Sequence, residues 1–265
     1  MPSQPIPDSG DQAFWAEFLT HGDTKERRLR NVFKRIPSSP RCKLCAAPFT
    51  GLGAPVMRLI GKRPAIQNPH VCSACFTFLS ARHGGAEVDI TLLFADIRGS
   101  TTIAEGMSST DYRHLLDRFY TVATSVVFNR GGMVDKFVGD ELVAMFFPLV
   151  TGDLHAVAGV EAARDLLVAT GHADPGGPWV PIGAGVHSGR TWFGAVGQGT
   201  RTELTAVGDS VNVTARLASM AAAGEILVTT EAATAAGLDP SLARRSLELK
   251  GKSLATEVVS LTVSG

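Results

Sequence analysis

The run VDITLLFADIRGS, from Val88 to Ser100, constrains this chain more than any other stretch. It is too short to cross a bilayer and is rich in branched residues, which reads as a buried strand. Near its end sits one carboxylate, Asp96, and directly after it Arg98-Gly99-Ser100-Thr101 offers a small-residue turn and an N-cap for a following helix. That places a carboxylate beside a row of free backbone N–H groups, and such groups at a helix start bind phosphate. Carboxylate and phosphate repel unless a divalent metal lies between them. The stretch therefore points to a metal-bound phosphate, with Gly99, Ser100 and Thr101 forming the cradle. On this stretch alone, Asp96 acting as a plain helix cap accounts for the residues equally well.

The chain has 265 residues, 45% of them hydrophobic, enough for one large domain or a medium domain plus a small one. No apolar run reaches about 18 residues, and the N-terminal MPSQPIPDSGDQ lacks a charged-then-apolar signal pattern. A soluble, cytoplasmic protein is expected. The net charge of zero hides a division: residues 1–80 hold 11 Lys/Arg against 5 Asp/Glu, residues 81–265 hold 14 against 20. Such asymmetry supports two units, an N-terminal region over 1–84 and a second domain over 85–265.

All four cysteines lie in the first region, as Cys42-Lys43-Leu44-Cys45 and, after 26 intervening residues, Cys72-Ser73-Ala74-Cys75. Each CxxC pair wraps two thiolates around one ion, a strong metal signal. The spacing exceeds the usual zinc-ribbon range, so the Pro- and Gly-rich stretch between must fold back. Without an export signal, a reducing compartment disfavours disulfides. Structural zinc is the expectation, with an iron–sulfur cluster as the alternative. Ahead of the cysteines, Asp11 to Ile36 is helical in pattern, broken at Gly22-Asp23. The second part, KERRLRNVFKRI, is basic and is expected to pack through Leu29, Val32, Phe33 and Ile36. Its basic face suits nucleic acid or anionic lipid as well as water, and few basic residues interleave with aromatics over 42–75, so nucleic acid is not the expected partner.

Beyond a boundary at Gly84-Gly85 the pattern gives the Val88 strand, then a helix from Ser108 to Gly131-Gly132. Two short strands follow, split by Gly139-Asp140 at a hairpin tip, with Lys136 on the incoming strand. Next come a helix over 153–172, strands at Val180–Val186 and Thr191–Val196, and a turn at Gly197–Arg201 leading to another strand. A helix opened by Gly208-Asp209-Ser210 has Asn212 and Arg216 four apart on one face. Strands near Ile226, Leu247 and Val258 close the chain. This order indicates an α+β fold, a ferredoxin-like βαββαβ core with helices on one side of an antiparallel sheet. In such a sheet the first strand is central, so Asp96 and Asp140 lie close enough to hold a metal pair on a triphosphate. Asp140 alone would be an ordinary turn residue.

FADIRGST, KFVGDELVAMF, GVHSG and VGDSVNVTARL, in this order, resemble the class III nucleotidyl cyclase catalytic domain over roughly Glu87 to Leu261. The resemblance implies a head-to-tail homodimer with shared active sites. It implies that Asp96, Asp140 and the Ile97 carbonyl hold two Mg²⁺ or Mn²⁺ ions, and that Lys136 and Thr205 of the partner chain read the purine edge. It further implies that Asn212 orients the ribose, that Arg216 stabilises the transferring phosphoryl group and that Lys250 meets the terminal phosphates. A lysine donor with a hydroxyl acceptor suits adenine, whose N1 accepts and whose N6 donates, so ATP is the expected substrate. Threonine at position 205 resembles the subgroup often described as bicarbonate-stimulated. The alternative is a catalytically silent cyclase-like dimer acting as a nucleotide, metal or redox sensor.

Overall fold

The computed structural model describes residues 11–22, 28–30, 32–33, 35–36, 38, 40–66, 69, 71–82, 84–197, 202–248 and 255–263. They form two compact units: Met1–Val88 with Pro148–Val150 and Arg190–Val207, and Asp89–Phe147 with Thr151–Gly189 and Gly208–Gly265.

The second unit carries the expected α+β core. Strand β1 (Gly84–Ile97) enters it, followed by helices α4 (Ser100–Glu105) and α5 (Ser109–Asn129), then β2 (Met133–Val138) and β3 (Glu141–Phe146). A helix over His155–Ala169, here α6, leads to β4 (Ile182–Val196). Strand order β2-β3-β1-β4 is that of a ferredoxin-like βαββαβ unit, with β1 central. Helix α5 forms because Ser108 caps it, its side chain accepting from the Asp111 N–H, and because Phe119, Ala123 and Val127 recur at four-residue spacing on one face. That face meets Leu93, Ala95 and Ile97 of β1, Leu142, Ala144 and Phe146 of β3, and Leu166 of α6. Phe119 is fully buried there, and truncating it to alanine should cost about 3–5 kcal/mol.

Beyond the core the sheet continues β4-β6-β8-β7, with β6 (Glu225–Thr229), β7 (Arg244–Leu247) and β8 (Thr256–Thr262). The two helices of the βαββαβ core share one face, as expected, and the extension beyond it differs in two ways. The β4–β6 pairing is parallel, so the sheet is mixed. Helices also do not all share one side. Ile182, Ala184 and Val186 belong to the core beneath α5 and α6, whereas helix α7 (Asp209–Met220) packs with Val213, Leu217 and Ala221 on Leu227 and Val258. Strand residues alternate between faces, so α7 lies opposite α5 and α6. Glycines allow it: a Cβ on Gly185 would lie 2.6 Å from the Ala218 nitrogen, and one on Gly183 2.6 Å from the Ala221 carbonyl oxygen. The two strands expected over 180–196 are one continuous strand, and a short helix α8 (Thr230–Ala235) follows β6.

In the first unit, α1 (Asp11–Thr20) buries Trp15, Phe18 and Leu19. Trp15 meets Phe193 edge-on at 6.3 Å, and β4 there pairs with β5 (Glu203–Val207). Gly84 and Gly85 open strand β1, and a Cβ on Gly85 would lie 2.3 Å from the Phe193 carbonyl oxygen, so the close approach there requires glycine. Between the CxxC pairs lies a helix, α2 (Ala54–Leu59), and α3 (Ser73–Ser80) starts directly after Cys72. Only part of KERRLRNVFKRI is described, residues 25–27, 31 and 34 lying outside. Its described residues correct the expected packing: Leu29 and Val32 are exposed, while Phe33 and Arg30 are buried. The reason is polar. The Arg30 guanidinium donates to the Lys43 and Leu44 carbonyls at 2.7 and 2.5 Å, turning that side toward the cysteine loop.

Candidate active site and metal centre

The strand ends of the second unit gather three acids. Asp96 stands opposite Glu141 in the β1–β3 register, and Asp140 precedes Glu141 at the hairpin tip, where Gly139 takes φ 62°. Asp96 alternates away from Ile97, placing it on the sheet face that also carries α7. Burial, a hydrogen bond with Asp140 and the Asp140 charge push the Asp96 carboxyl up to about 6, against the opposing pull of Arg98. Burial and the charges of Asp96 and Asp140 push Glu141 up to about 7. Neighbouring carboxyls that resist ionisation are relieved by a bound cation, and an all-oxygen donor set suits a hard divalent ion.

Several residues that hold this arrangement escaped the sequence reading. Arg98 ion-pairs with Asp96 and donates to the Ser219 carbonyl at 2.8 Å, tying the β1 end to the last turn of α7. Tyr120 stacks on Phe137 at 3.9 Å, and its hydroxyl donates to the Gly139 carbonyl, pinning the hairpin tip. The Tyr112 hydroxyl bonds Ser100, and burial with the Asp140 charge raises its pKa. No spacing rule marks these contacts; only an arginine two residues beyond the carboxylate was a usable signal.

The other sequence-singled residues are distributed as follows. Gly99 caps α4 in the left-handed conformation at φ 68°, so Ser100 and Thr101 open the helix beside Asp96. Lys136 follows a bulge in the β2–β3 ladder between Val134 and Lys136, a device that re-aims a side chain, and lies 3.9 Å from Asp135. Asn212 and Arg216 sit on α7 away from its buried stripe of Ser210, Val213, Thr214, Leu217 and Ala218. Thr205 lies in the first unit, on β5 opposite Gly194. Lys250 falls outside the described residues.

The four cysteines converge. All are buried and unbridged, with sulfurs within 4.8 Å of one another. Cys45 and Cys72 Sγ are 3.8 Å apart. A tetrahedron with metal–sulfur bonds of about 2.3 Å has edges of about 3.8 Å, so the thiols fit one ion. The Cys72 N–H donates to Cys42 Sγ at 3.2 Å and the Cys75 N–H to Cys72 Sγ at 3.4 Å, while the Lys62 ammonium lies 3.6 Å from Cys45 Sγ. Hydrogen bonds from the other three thiols, with help from Lys62, hold Cys45 far below an ordinary thiol, while those same contacts and burial push Cys75 up.

Fold and site together define a nucleotidyl cyclase domain. The chain belongs to the adenylate and guanylate cyclase catalytic domain family, matching it over residues 85–260. Among curated relatives it is 33% identical over 134 residues to an adenylate cyclase of Anabaena cylindrica, 48% of this chain and 26% of that protein. It is also 33% identical over 178 residues to the terminal-differentiation specific adenylate cyclase of Dictyostelium discoideum, 64% of this chain and 8% of that one. The chain thus spans about a quarter of the length of the first of these relatives and less than a tenth of the second. Among solved structures it is similar to the guanylyl cyclase Cya2 (TM-score 0.62, 25% identity, 69% of this chain and 95% of that one). The adenylyl cyclase CyaB from P. aeruginosa is comparably similar (TM-score 0.59, 27% identity, 68% and 96%). Among the described residues, no helix is long and apolar enough to cross a membrane.

Proposed function

We propose that the protein is an adenylate cyclase, forming 3′,5′-cyclic AMP and pyrophosphate from ATP at sites shared across a homodimer. The observation that carries this reading is the juxtaposition of Asp96 and Asp140 at neighbouring strand ends, Asp96 standing opposite Glu141 in the β1–β3 register and Asp140 directly preceding Glu141. Asp96 and Asp140, with the Ile97 carbonyl, would hold two Mg²⁺ or Mn²⁺ ions; these, when bound, acidify the 3′-hydroxyl and neutralise the leaving phosphates. The 3′-oxygen attacks the α-phosphorus as its proton passes to solvent. The α-phosphorus to bridging-oxygen bond breaks, and pyrophosphate leaves with that electron pair. Asn212 orients the ribose, and Arg216 offsets charge on the pentavalent phosphorus. Gly99, Ser100 and Thr101 place backbone N–H groups against phosphate oxygens, and Lys250 meets the terminal phosphates. Lys136 donates to adenine N1 while Thr205 accepts from N6, which discriminates against guanine with its N1–H donor and O6 acceptor. Threonine at 205 makes bicarbonate stimulation a companion test.

The cysteine centre is read as one structural zinc ion, because the sulfurs are spaced for a single ion and not for the larger cage of an iron–sulfur cluster. The decisive experiment incubates purified protein with Mg²⁺ or Mn²⁺ and either ATP or GTP and detects the cyclic product. Cyclic AMP from ATP, with little cyclic GMP from GTP, supports the reading; no cyclic nucleotide under any pairing refutes it.

A further inference from the structure

Residues 27–86 contain 11 lysines and arginines and no aspartate or glutamate. Within this acid-free stretch the helix α2 is turned inside out. Ala54 and Met57 form its buried side, while Val56 and Leu59 on the helix and Ile60 just beyond it are exposed. An outward helix face is ordinarily polar. Leu52, Leu59 and Ile66 are 99%, 87% and 94% exposed, the three most exposed large apolar side chains among the described residues. Arg58 and Arg63, both exposed, lie among them in sequence. Water-facing apolar side chains close together in sequence, interspersed with cations and with no acid among them, match the surface chemistry of an anionic bilayer, where apolar tips enter the acyl boundary and cations meet phosphate headgroups.

We propose that residues 52–66 of the cysteine region form a docking surface for anionic lipid membranes. Charge decides the occupant. A second copy would bring the same cations against these, a repulsive pairing. Nucleic acid would use the cations but leave leucine and isoleucine with nothing to do; it calls for exposed aromatic platforms. Phe33, Phe49 and Phe76 are buried, and Phe78 lies beneath the Arg82 guanidinium at 3.7 Å. Helix α2 lies between the two CxxC pairs, and beyond its end the Pro64 backbone pairs with that of Cys72.

The test uses the full chain, sedimented with vesicles of phosphatidylcholine alone or with phosphatidylserine added. Two variants accompany it: Leu52→Ser with Leu59→Ser and Ile66→Ser, and Arg58→Glu with Arg63→Glu. All five side chains are exposed, so circular dichroism and metal content should match wild type. The expected result is binding to phosphatidylserine vesicles, at least about tenfold weaker in each variant and weakened by salt. Three results overturn the proposal: no preference for phosphatidylserine, wild-type partitioning by both variants, or an apolar variant that changes only self-association. Binding of short duplex DNA by a wild type that ignores vesicles overturns it too, in favour of nucleic acid.

Discussion

Arg98 reaches back to pair with the Asp96 carboxylate, and the same guanidinium donates to the carbonyl of Ser219. One side chain thus links the acid-bearing strand end to α7, the helix carrying Asn212 and Arg216. Arg98→Ala should cost about 1.5–3 kcal/mol in stability by removing hydrogen bonds to charged and backbone partners. Arg98→Lys keeps the charge but loses the fork, and should recover less than half of that loss. Chemical denaturation of the three proteins checks the order; equal midpoints would remove Arg98 as a link.

Asp96 and Glu141 have folded-state pKa values near 6 and 7, above their ordinary values of 3.8 and 4.5. The folded protein therefore holds more protons than the unfolded chain between those limits. Without metal, stability should fall as pH rises from about 4 to about 7. His155 and His172 are held below the usual imidazole value by burial and act in the opposite sense, losing stability as pH falls below 6.5. Comparison with Asp140→Asn cancels the histidines. That variant should be more thermostable than wild type at pH 7.5 in chelator and indistinguishable at pH 4. Equal melting curves at both pH values would contradict the acid cluster.

Asp96→Ala and Arg216→Ala should each reduce cyclic nucleotide formation about 100-fold or more while retaining the fold. Co-expressed, they should regain about half the wild-type rate per verified heterodimer, since one site then has both lesions and the other neither. Heterodimers that stay silent would mean that each chain holds a self-contained site.

Lys136→Glu replaces the donor that suits adenine N1 with an acceptor that suits guanine N1–H. The ratio of kcat/KM for ATP over GTP should drop at least about tenfold. An unchanged ratio would separate Lys136 from base recognition.

Pure protein should contain about one zinc per chain. Cys72→Ser with Cys75→Ser should lose it and loosen the cysteine loops that the ion would hold together. Visible absorbance typical of iron–sulfur clusters in the wild type would select the other metal. Arg30→Ala should weaken the same loops, by leaving the Lys43 and Leu44 carbonyls without their donor.

The core was legible because period carries it. Leu93, Ala95 and Ile97 alternate, Phe119, Ala123 and Val127 recur at four, and Gly139-Asp140 marks its turn. Asp96 and Asp140 followed, because strand order places them at neighbouring ends. What stayed hidden depends on contacts between distant segments. The placement of α7 on the opposite sheet face rests on Gly183 and Gly185 having no side chain, which period alone does not reveal. Burial of Arg30 in place of Leu29 inverts the usual hydrophobic rule, because two carbonyls of a remote loop required a donor. The bulge before Lys136 and the anchoring hydroxyl of Tyr120 leave no mark in local composition.

Helix α3 is capped by Cys72, holds Cys75 in its first turn and packs on β5, the strand that carries Thr205. On the proposed reading, a sulfur-bound ion props the wall against which a purine edge is judged. Stripping that ion would slacken the wall, whereas Asp96 and Asp140 belong to the other unit. Fidelity toward the base should then drift while the intrinsic rate persists, making discrimination, not speed, the property most exposed to a cell's zinc and thiol balance.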